Sequence, residues 1–168
     1  MHYSDDDTHH KLYIYGCGAS GRLAKQIESE TWRQHCPREE LRDKVIGELT
    51  GGDRALVSAL EGFEDLEVIG ELQLKVNKIV KGDVVIVITE GGLTTSAIGT
   101  IKAARRLYED PVEASKHLYY VFNNPKELVE PFDRIKPVLE DEGITNISLW
   151  TGPMALGGST RMQASTIQ

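Results

Sequence analysis

Short apolar runs alternate along this chain with longer segments in which apolar residues recur every three or four positions. The run DVVIVIT (83–89) is apolar almost throughout, which is typical of a central parallel strand covered on both faces. Four further runs are rich in β-branched and aromatic residues and also predict strands: KLYIYG (11–16), KVIGELTGG (44–52), HLYYVFNN (117–124) and NISLWTG (146–152).

Helical periodicity fills the intervals between these strands, over 20–33, 54–61 with 65–79, 94–108 and 125–135. Alternating strands and helices predict an α/β fold, a three-layer α-β-α sandwich around a mostly parallel five-stranded sheet. We expect one domain over 11–168, preceded at 1–10 by a disordered tail or a segment added for expression. The final STRMQASTIQ reads as a helix without a C-cap, so we expect the domain to be incomplete at both ends.

Charge, cysteine content and the lack of long apolar runs argue against nucleic acid, metal and membrane as partners. The net charge of -7 disfavours nucleic acid, because phosphate backbones are bound by clustered lysine and arginine. Cys17 and Cys36 lie in no zinc-ligand pattern, so we expect no metal. No signal peptide or membrane-length apolar run is evident, which favours a cytoplasmic protein without membrane contact.

Three loops that follow predicted strands are rich in glycine and hydroxyl groups: GCGASGR (16–22), EGGLTTS (90–96) and TGPMALGGSTR (151–161). Parallel strands bring their carboxyl ends to one edge of the sheet, where helix N-termini attract anions. Ser and Thr are also ordinary helix caps, and that alternative stands for any one loop. Three such loops at one edge together predict an anion-binding crevice.

Gly16, Gly18 and Gly21 also match the dinucleotide fingerprint G-x-G-x-x-G. A dinucleotide site needs an acidic residue about 20 residues further on, to bind the ribose. Glu48 and Asp53 follow by roughly 30 residues, which is a poor fit. An NAD-binding module is therefore a third alternative, and we predict no cofactor.

Two groups of carboxylates are candidates for acid–base chemistry. Glu28 and Glu30 lie on the first predicted helix, and Glu61, Glu64 and Asp65 lie in ALEGFEDLE (59–67). Gly62 interrupts the helical pattern there and predicts a turn that directs a carboxylate toward the crevice. Two carboxylates with different pKa values can divide the acid and base roles, although surface glutamates are common.

These motifs resemble the sugar isomerase (SIS) domains, and most closely the subset that holds N-acetylmuramic acid 6-phosphate etherase and the glucokinase regulatory protein. YGCGASGRL is similar to the G-x-G-T-S-G-R-L turn of that subset. TGGDRALVSALEGFEDLE resembles its A-G-G-(D/E) stretch followed by E-G-x-E-D. TGPMALGGSTRMQAST resembles its T-G-P-E-x-x-x-G-S-T-R-x-K-A-G-T segment.

The resemblance implies a phosphosugar ligand and a homodimer, or pairing with a second SIS domain. It places the etherase's catalytic acid on Glu30 and its base on Glu64. The remaining positions carried over bind substrate: Gly18, Ser20, Gly21, Arg22, Gly52, Thr94, Thr95, Ser96, Ser159 and Thr160. The etherase reaction removes D-lactate from C3 by acid–base elimination and then adds water.

A second interpretation is a non-catalytic sugar-phosphate sensor that acts on a partner such as a sugar kinase. Its basis is the second loop, where Gly91 and Leu93 stand at positions that carry serine and arginine in etherases. That loop resembles the regulatory protein. The retained Glu30 favours the enzyme, so both interpretations stay open at this point.

Overall fold

The sheet of this protein has five strands, all of them parallel. The computed structural model describes residues 10–58 and 60–168. The predicted tail, residues 1–10, lies outside the described residues except for its last residue. The strands run in the spatial order β2-β1-β3-β4-β5. Their bounds are β1 Leu12–Gly16, β2 Val45–Leu49, β3 Val84–Thr89, β4 Leu118–Phe122 and β5 Thr145–Ser148. The predicted α/β fold with a five-stranded parallel sheet is confirmed.

Strand β3 contributes to two hydrophobic cores at once. Val85 and Val87 pack into the larger core on one face, while Ile86 and Ile88 pack into the smaller core on the other. This follows from the two-residue period of a strand, which sends successive side chains to opposite faces. The continuous apolar run therefore reflects a strand with helices on both sides.

Helices form the two outer layers and follow the strands as the periodicity predicts. Helix α1 continues through a π-helical segment, Ile27–Trp32, into α2. The bounds of the α-helices in the described residues are α1 Gly18–Gln26, α2 Arg33–His35, α3 Arg54–Val57, α4 Glu67–Val76, α5 Thr95–Arg105, α6 Pro111–Ala114, α7 Lys126–Val129, α8 Lys136–Leu139 and α9 Arg161–Ile167.

The helix predicted over 125–135 is wrong in its extent. Helix α7 ends at Val129, close before Pro131, which lacks an amide hydrogen and disfavours helical geometry in the residue before it. The chain becomes helical again at α8, where Pro137 lies in the first turn and needs no amide donor. The predicted helix therefore ends before Pro131, and the next short helix begins only after the predicted range.

Gly21 allows α1 to lie directly against the sheet. A Cβ atom at this position would lie 2.6 Å from the Gly16 carbonyl oxygen and 2.9 Å from the Leu49 Cα atom, and would also contact the Leu49 side chain. Backbone atoms cannot move away as a flexible side chain can. Glycine is therefore required for close packing of α1 on β1 and β2.

We expect Gly21→Ala to lower the free energy of unfolding by about 1–3 kcal/mol, because overpacking forces the backbone to shift. Urea unfolding measures the difference. Gly157→Ala is the matched control, since a Cβ there has no neighbour within 4 Å. Equal stability of the two variants would show that α1 is not held by this close contact.

Candidate functional site

A cavity of about 390 Å³ lies at the carboxyl edge of the sheet, where the three glycine- and hydroxyl-rich loops meet. The strand register places Gly16, Leu49 and Ile88 level with one another, so the segments that follow β1, β2 and β3 start at the same edge. The lining residues are Cys17, Gly18, Ser20, Arg22, Leu49, Thr50, Ala55, Leu60, Glu61, Glu64, Thr89, Glu90, Gly91, Thr94, Thr160 and Arg161.

The first loop brings the N-terminus of α1 to this cavity. Cys17 is the N-cap, and it makes no side-chain capping hydrogen bond. Ser20 is buried at the third position of the helix, so its hydroxyl group does not serve as the cap. The first amides of a helix have no intrahelical partner, and they carry partial positive charge. This end of α1 therefore offers donors to an anion.

Arg22 adds a full positive charge to the same side of the cavity. Its side chain is exposed, and among the described residues no carboxylate lies within ion-pair distance of it. A guanidinium group can donate two parallel hydrogen bonds to a phosphate. Arg22 is thus available to a bound anion.

The second loop is held in shape by hydrogen bonds to its backbone. The Gly92 amide donates to Thr89 Oγ1 over 2.7 Å, and the Tyr120 hydroxyl donates to the Gly92 carbonyl oxygen over 3.2 Å. Asn124 Nδ2 donates to the Gly91 carbonyl oxygen over 3.0 Å. Thr94 is the N-cap of α5 without a side-chain capping bond, so its hydroxyl group is available at the cavity.

The third loop contributes Thr160 and Arg161 at the start of α9. Gln163 anchors this loop, because its Nε2 donates to the Gly152 carbonyl oxygen over 2.7 Å. Asn123 Nδ2 in turn donates to the Gln163 carbonyl oxygen over 3.3 Å, which ties the loop to the end of β4. Thr160 makes no side-chain capping bond either.

Thr50 is a lining residue that sequence reasoning missed, and it connects the cavity to a buried polar network. Its Oγ1 lies 2.9 Å from the Tyr15 hydroxyl and 3.0 Å from Ser96 Oγ. Ser96 is fully buried, so the structure places this predicted substrate-binding residue behind the cavity wall. Its contact with Thr50 fixes the start of α5 relative to β2.

The turn predicted at EGFED is present, and it brings two carboxylates to the cavity. Gly62 adopts the left-handed conformation with φ 82°, which glycine adopts without strain, and it precedes the 3₁₀ segment Phe63–Asp65. Glu61 and Glu64 both line the cavity. Burial raises the pKa of the Cys17 thiol, and the charge of Glu64 on the same cavity adds to that rise.

Glu90 is another lining residue outside the predicted site. It follows β3 directly and is only 8% exposed, and burial raises the pKa of its carboxyl group. Glu90 and Thr50 each stand immediately after a strand, at the edge where ligands bind in open α/β sheets. Their positions directly after predicted strands are the feature of the sequence that could have identified both residues as cavity lining.

Glu30 lies away from this cavity. It is exposed on the π-helical segment, where Gln26 Nε2 donates to its Oε2 over 2.8 Å, and it lines a separate surface depression with residues of α9. Its neighbour Glu28 accepts a hydrogen bond from the Gly47 amide over 2.9 Å and so joins the helix to β2. The structure does not bring Glu30 and Glu64 to one cavity.

Four further predicted substrate-binding residues are outside the set that lines the cavity. Gly21 packs against the sheet, and Gly52 lies in the turn after β2, where its amide donates to the Leu49 carbonyl oxygen over 2.7 Å. Thr95 Oγ1 lies 3.5 Å from Arg134 Nη1. Ser159 immediately precedes the lining residue Thr160.

The two acidic residues considered for a dinucleotide ribose have other partners. Glu48 is buried and accepts a hydrogen bond from Asn77 Nδ2 over 2.7 Å, and Asp53 forms an ion pair with Lys25 at 2.9 Å. Neither lines the cavity.

Over residues 10–58 and 60–168, no three His, Cys, Asp or Glu side chains come together as metal ligands. None of the helices in that same part is both long and apolar enough to cross a membrane.

Comparison with known proteins identifies the family. The sequence model of the glucokinase regulatory protein N-terminal SIS domain matches residues 2–105, more than half of the chain. The chain belongs to this SIS domain family. The resemblance seen in the glycine and hydroxyl loops is thereby confirmed.

The chain is also similar to several proteins named N-acetylmuramic acid 6-phosphate etherase. The relative from Clostridium acetobutylicum is 32% identical over 158 residues, which are 94% of this chain and 46% of the relative. Relatives from Synechocystis sp. and Vibrio campbellii are 33% and 34% identical, each over 94% of this chain and 45% of their own length. This SIS domain therefore spans about half the length of the curated relatives it matches.

Proposed function

We propose that this SIS domain binds a phosphorylated sugar or amino sugar in the cavity at the carboxyl edge of its sheet. The observation that carries the proposal is the convergence of three loops, which bring the hydroxyl groups of Ser20, Thr94 and Thr160 to one cavity together with Arg22 and Arg161. The cavity volume of about 390 Å³ suits a small ligand. Hydroxyl groups, helix amides and guanidinium groups all donate hydrogen bonds to phosphate oxygens.

We propose that the phosphate binds at the start of α1, near Ser20 and Arg22. Neither the cap nor the first turn of α1 supplies an acidic side chain, so nothing there competes with a phosphate for the free amides. The sugar then extends toward Thr50, Glu64 and Glu90, which offer groups suited to hydroxyls.

For the chemistry, we propose an etherase-type lyase acting on N-acetylmuramic acid 6-phosphate. Glu64 removes the C2 proton of the open-chain aldehyde, and the electron pair forms a C2–C3 double bond as the C3–O bond breaks. The departing lactate oxygen takes a proton from a general acid. Water then adds hydroxide to C3 and a proton to C2, which gives the amino sugar 6-phosphate and D-lactate. The names of the relatives and the place of Glu64 in the cavity support this reaction.

A second candidate is a non-catalytic sensor of sugar phosphates that acts on a sugar kinase. Its support is the match to the glucokinase regulatory protein SIS domain, together with the place of Glu30 outside the cavity. Leu93 agrees with it, because this residue packs against the larger core where etherases carry an arginine. Under either candidate we propose a cytoplasmic protein that pairs as a homodimer or with a second SIS domain.

Ser20→Ala tests the proposed ligand, and we expect it to weaken the affinity for fructose 6-phosphate about tenfold. The reason is the loss of one hydrogen bond to a charged group, worth about 1.5 kcal/mol. Isothermal titration calorimetry measures the affinity, and thermal unfolding measures stability. Stability should hardly change, because Ser20 is not a helix cap.

Ser115→Ala is the control, since this half-buried residue lies at the end of α6, outside the cavity. Its affinity should match that of the wild type. A large loss of stability in Ser20→Ala with unchanged affinity would show that Ser20 has a structural role only.

A further inference from the structure

Glu90 lines the proposed sugar-phosphate cavity, and its carboxyl group has no partner among the described residues. The residue is more than nine-tenths buried, and its backbone is fixed because the Glu90 carbonyl oxygen accepts a hydrogen bond from the Asn123 amide over 2.9 Å. Within the described residues, no hydrogen bond and no cation acts on its side chain, and burial is the cause of its raised pKa. The structure thus holds a partly desolvated carboxyl group at the wall of a ligand cavity.

An arrangement of this kind is costly unless it serves a ligand. A carboxylate that is partly withdrawn from water and has no protein partner loses part of its hydration without compensation, which favours binding of a proton or of a ligand atom. Arg22 and Arg161 line the same cavity, and among the described residues no ion pair joins either of them to Glu90 or to another carboxylate. Glu90 therefore lies in the cavity wall together with two cations that have no carboxylate partner in that part of the chain.

We infer that Glu90 binds the sugar portion of the ligand in its protonated form, donating one hydrogen bond to a sugar oxygen and accepting another from a sugar hydroxyl. This inference rests on the proposed function. An ionised Glu90 would repel the phosphate, so the phosphate binds at the first loop and Glu90 contacts the opposite, hydroxyl-bearing end. Glu90 thereby selects a sugar phosphate over inorganic phosphate.

Ligand binding and protonation of Glu90 favour each other. Binding stabilises the protonated form and raises the pKa of Glu90 further in the complex, so binding takes up a proton. The contribution to affinity is complete below the pKa of the free protein, and it is lost as the pH rises through the pKa of the complex. Above the free pKa, affinity falls by up to about tenfold per pH unit.

Other groups at the cavity titrate or carry charge, and the experiment must separate them from Glu90. They are Cys17, Arg22, Glu61, Glu64 and Arg161. The phosphate of the ligand loses its second proton at about pH 6, and its greater negative charge strengthens binding as the pH rises. All of these are shared by the wild type and a Glu90 variant, so the difference between the two proteins reports on Glu90.

The test is calorimetric titration of fructose 6-phosphate into the wild type, Glu90→Gln and Glu127→Gln at a series of pH values from about 5.5 to 8.5. Glutamine keeps one donor and one acceptor but cannot ionise. Glu127, on the exposed side of α7, is the matched control. Titration in buffers of different ionisation enthalpy gives the number of protons taken up on binding.

The wild type and Glu127→Gln should take up as much as one proton more than Glu90→Gln, and their affinity relative to Glu90→Gln should fall with rising pH. Identical proton uptake and pH dependence in all three proteins would overturn the role of Glu90 while leaving sugar-phosphate binding in place. Absence of binding by the wild type at every pH would overturn the proposed function itself. Should Glu90→Gln not fold, wild-type proton uptake with fructose 6-phosphate but not with inorganic phosphate supports the inference, and equal uptake overturns it.

Discussion

Glu64→Gln is expected to reduce lactate release from N-acetylmuramic acid 6-phosphate by about 10²–10⁴-fold, because a positioned general base contributes that much to a proton transfer. Glutamine preserves the size and polarity of the side chain but cannot accept the C2 proton. Glu64 lines the cavity, within the turn that Gly62 makes possible. The loss should therefore fall on kcat, with binding of the sugar phosphate largely retained.

Asp65→Asn is the matched control for this substitution, because Asp65 is exposed beside Glu64 and does not line the cavity. It should leave lactate release unchanged. Full activity of Glu64→Gln would remove Glu64 from the role of base. Absence of lactate release from the wild type, together with saturable binding of the sugar phosphate, would instead support the sensor.

Glu30→Gln, measured beside these variants, tests whether Glu30 is the general acid of the lyase reaction. The family resemblance gives Glu30 the role of acid, while the structure places it at a separate depression with residues of α9. A loss of activity as large as that of Glu64→Gln would show that Glu30 takes part in the reaction as the general acid. Unchanged activity would mean that another group protonates the lactate oxygen.

Arg22→Ala is expected to weaken the affinity for sugar phosphates by about 10–100-fold. A hydrogen bond to a charged group contributes about 1.5–3 kcal/mol, and each 1.4 kcal/mol corresponds to a factor of ten. Arg22 is exposed and has no carboxylate partner in the described part of the chain, so the free energy of unfolding should hardly change. Calorimetric titration and thermal unfolding of the same samples measure the two quantities.

Arg38→Ala is the corresponding control, since Arg38 is exposed before the 3₁₀ segment Glu39–Lys44 and outside the cavity. Arg22→Lys keeps the charge but loses the paired donors, so its affinity should lie between those of the wild type and Arg22→Ala. If Arg38→Ala weakened binding as much as Arg22→Ala, the effect would reflect net charge rather than a contact in the cavity.

The sequence predicted the sheet well because burial on two faces leaves a direct trace in composition. All five strands occur where apolar and β-branched runs indicated, and β3 is the clearest example. The helical regions were predicted less well in the second half of the chain. Periodicity alone extended a helix across Pro131, although the missing amide donor of proline gave the reason to end it.

The loops around the cavity were predicted, and the individual side chains that line it were predicted only in part. The three loops meet as expected, since parallel strands end at one edge. Composition could not decide which hydroxyl group faces the cavity: Thr94 does, whereas Ser96 turns into the network with Thr50. Glu90 was missed because a glutamate after a strand is usually solvated, and its burial depends on how the neighbouring loops pack around it.

The central claim is that the cavity at the carboxyl edge of the sheet binds a sugar phosphate, and titration of the wild-type protein with fructose 6-phosphate and with fructose tests it most directly. We expect one saturable site for fructose 6-phosphate, competition by inorganic phosphate, a rise in melting temperature with ligand concentration, and no binding of unphosphorylated fructose. The claim would be contradicted if fructose 6-phosphate and N-acetylmuramic acid 6-phosphate both failed to produce any heat of binding and any shift in melting temperature.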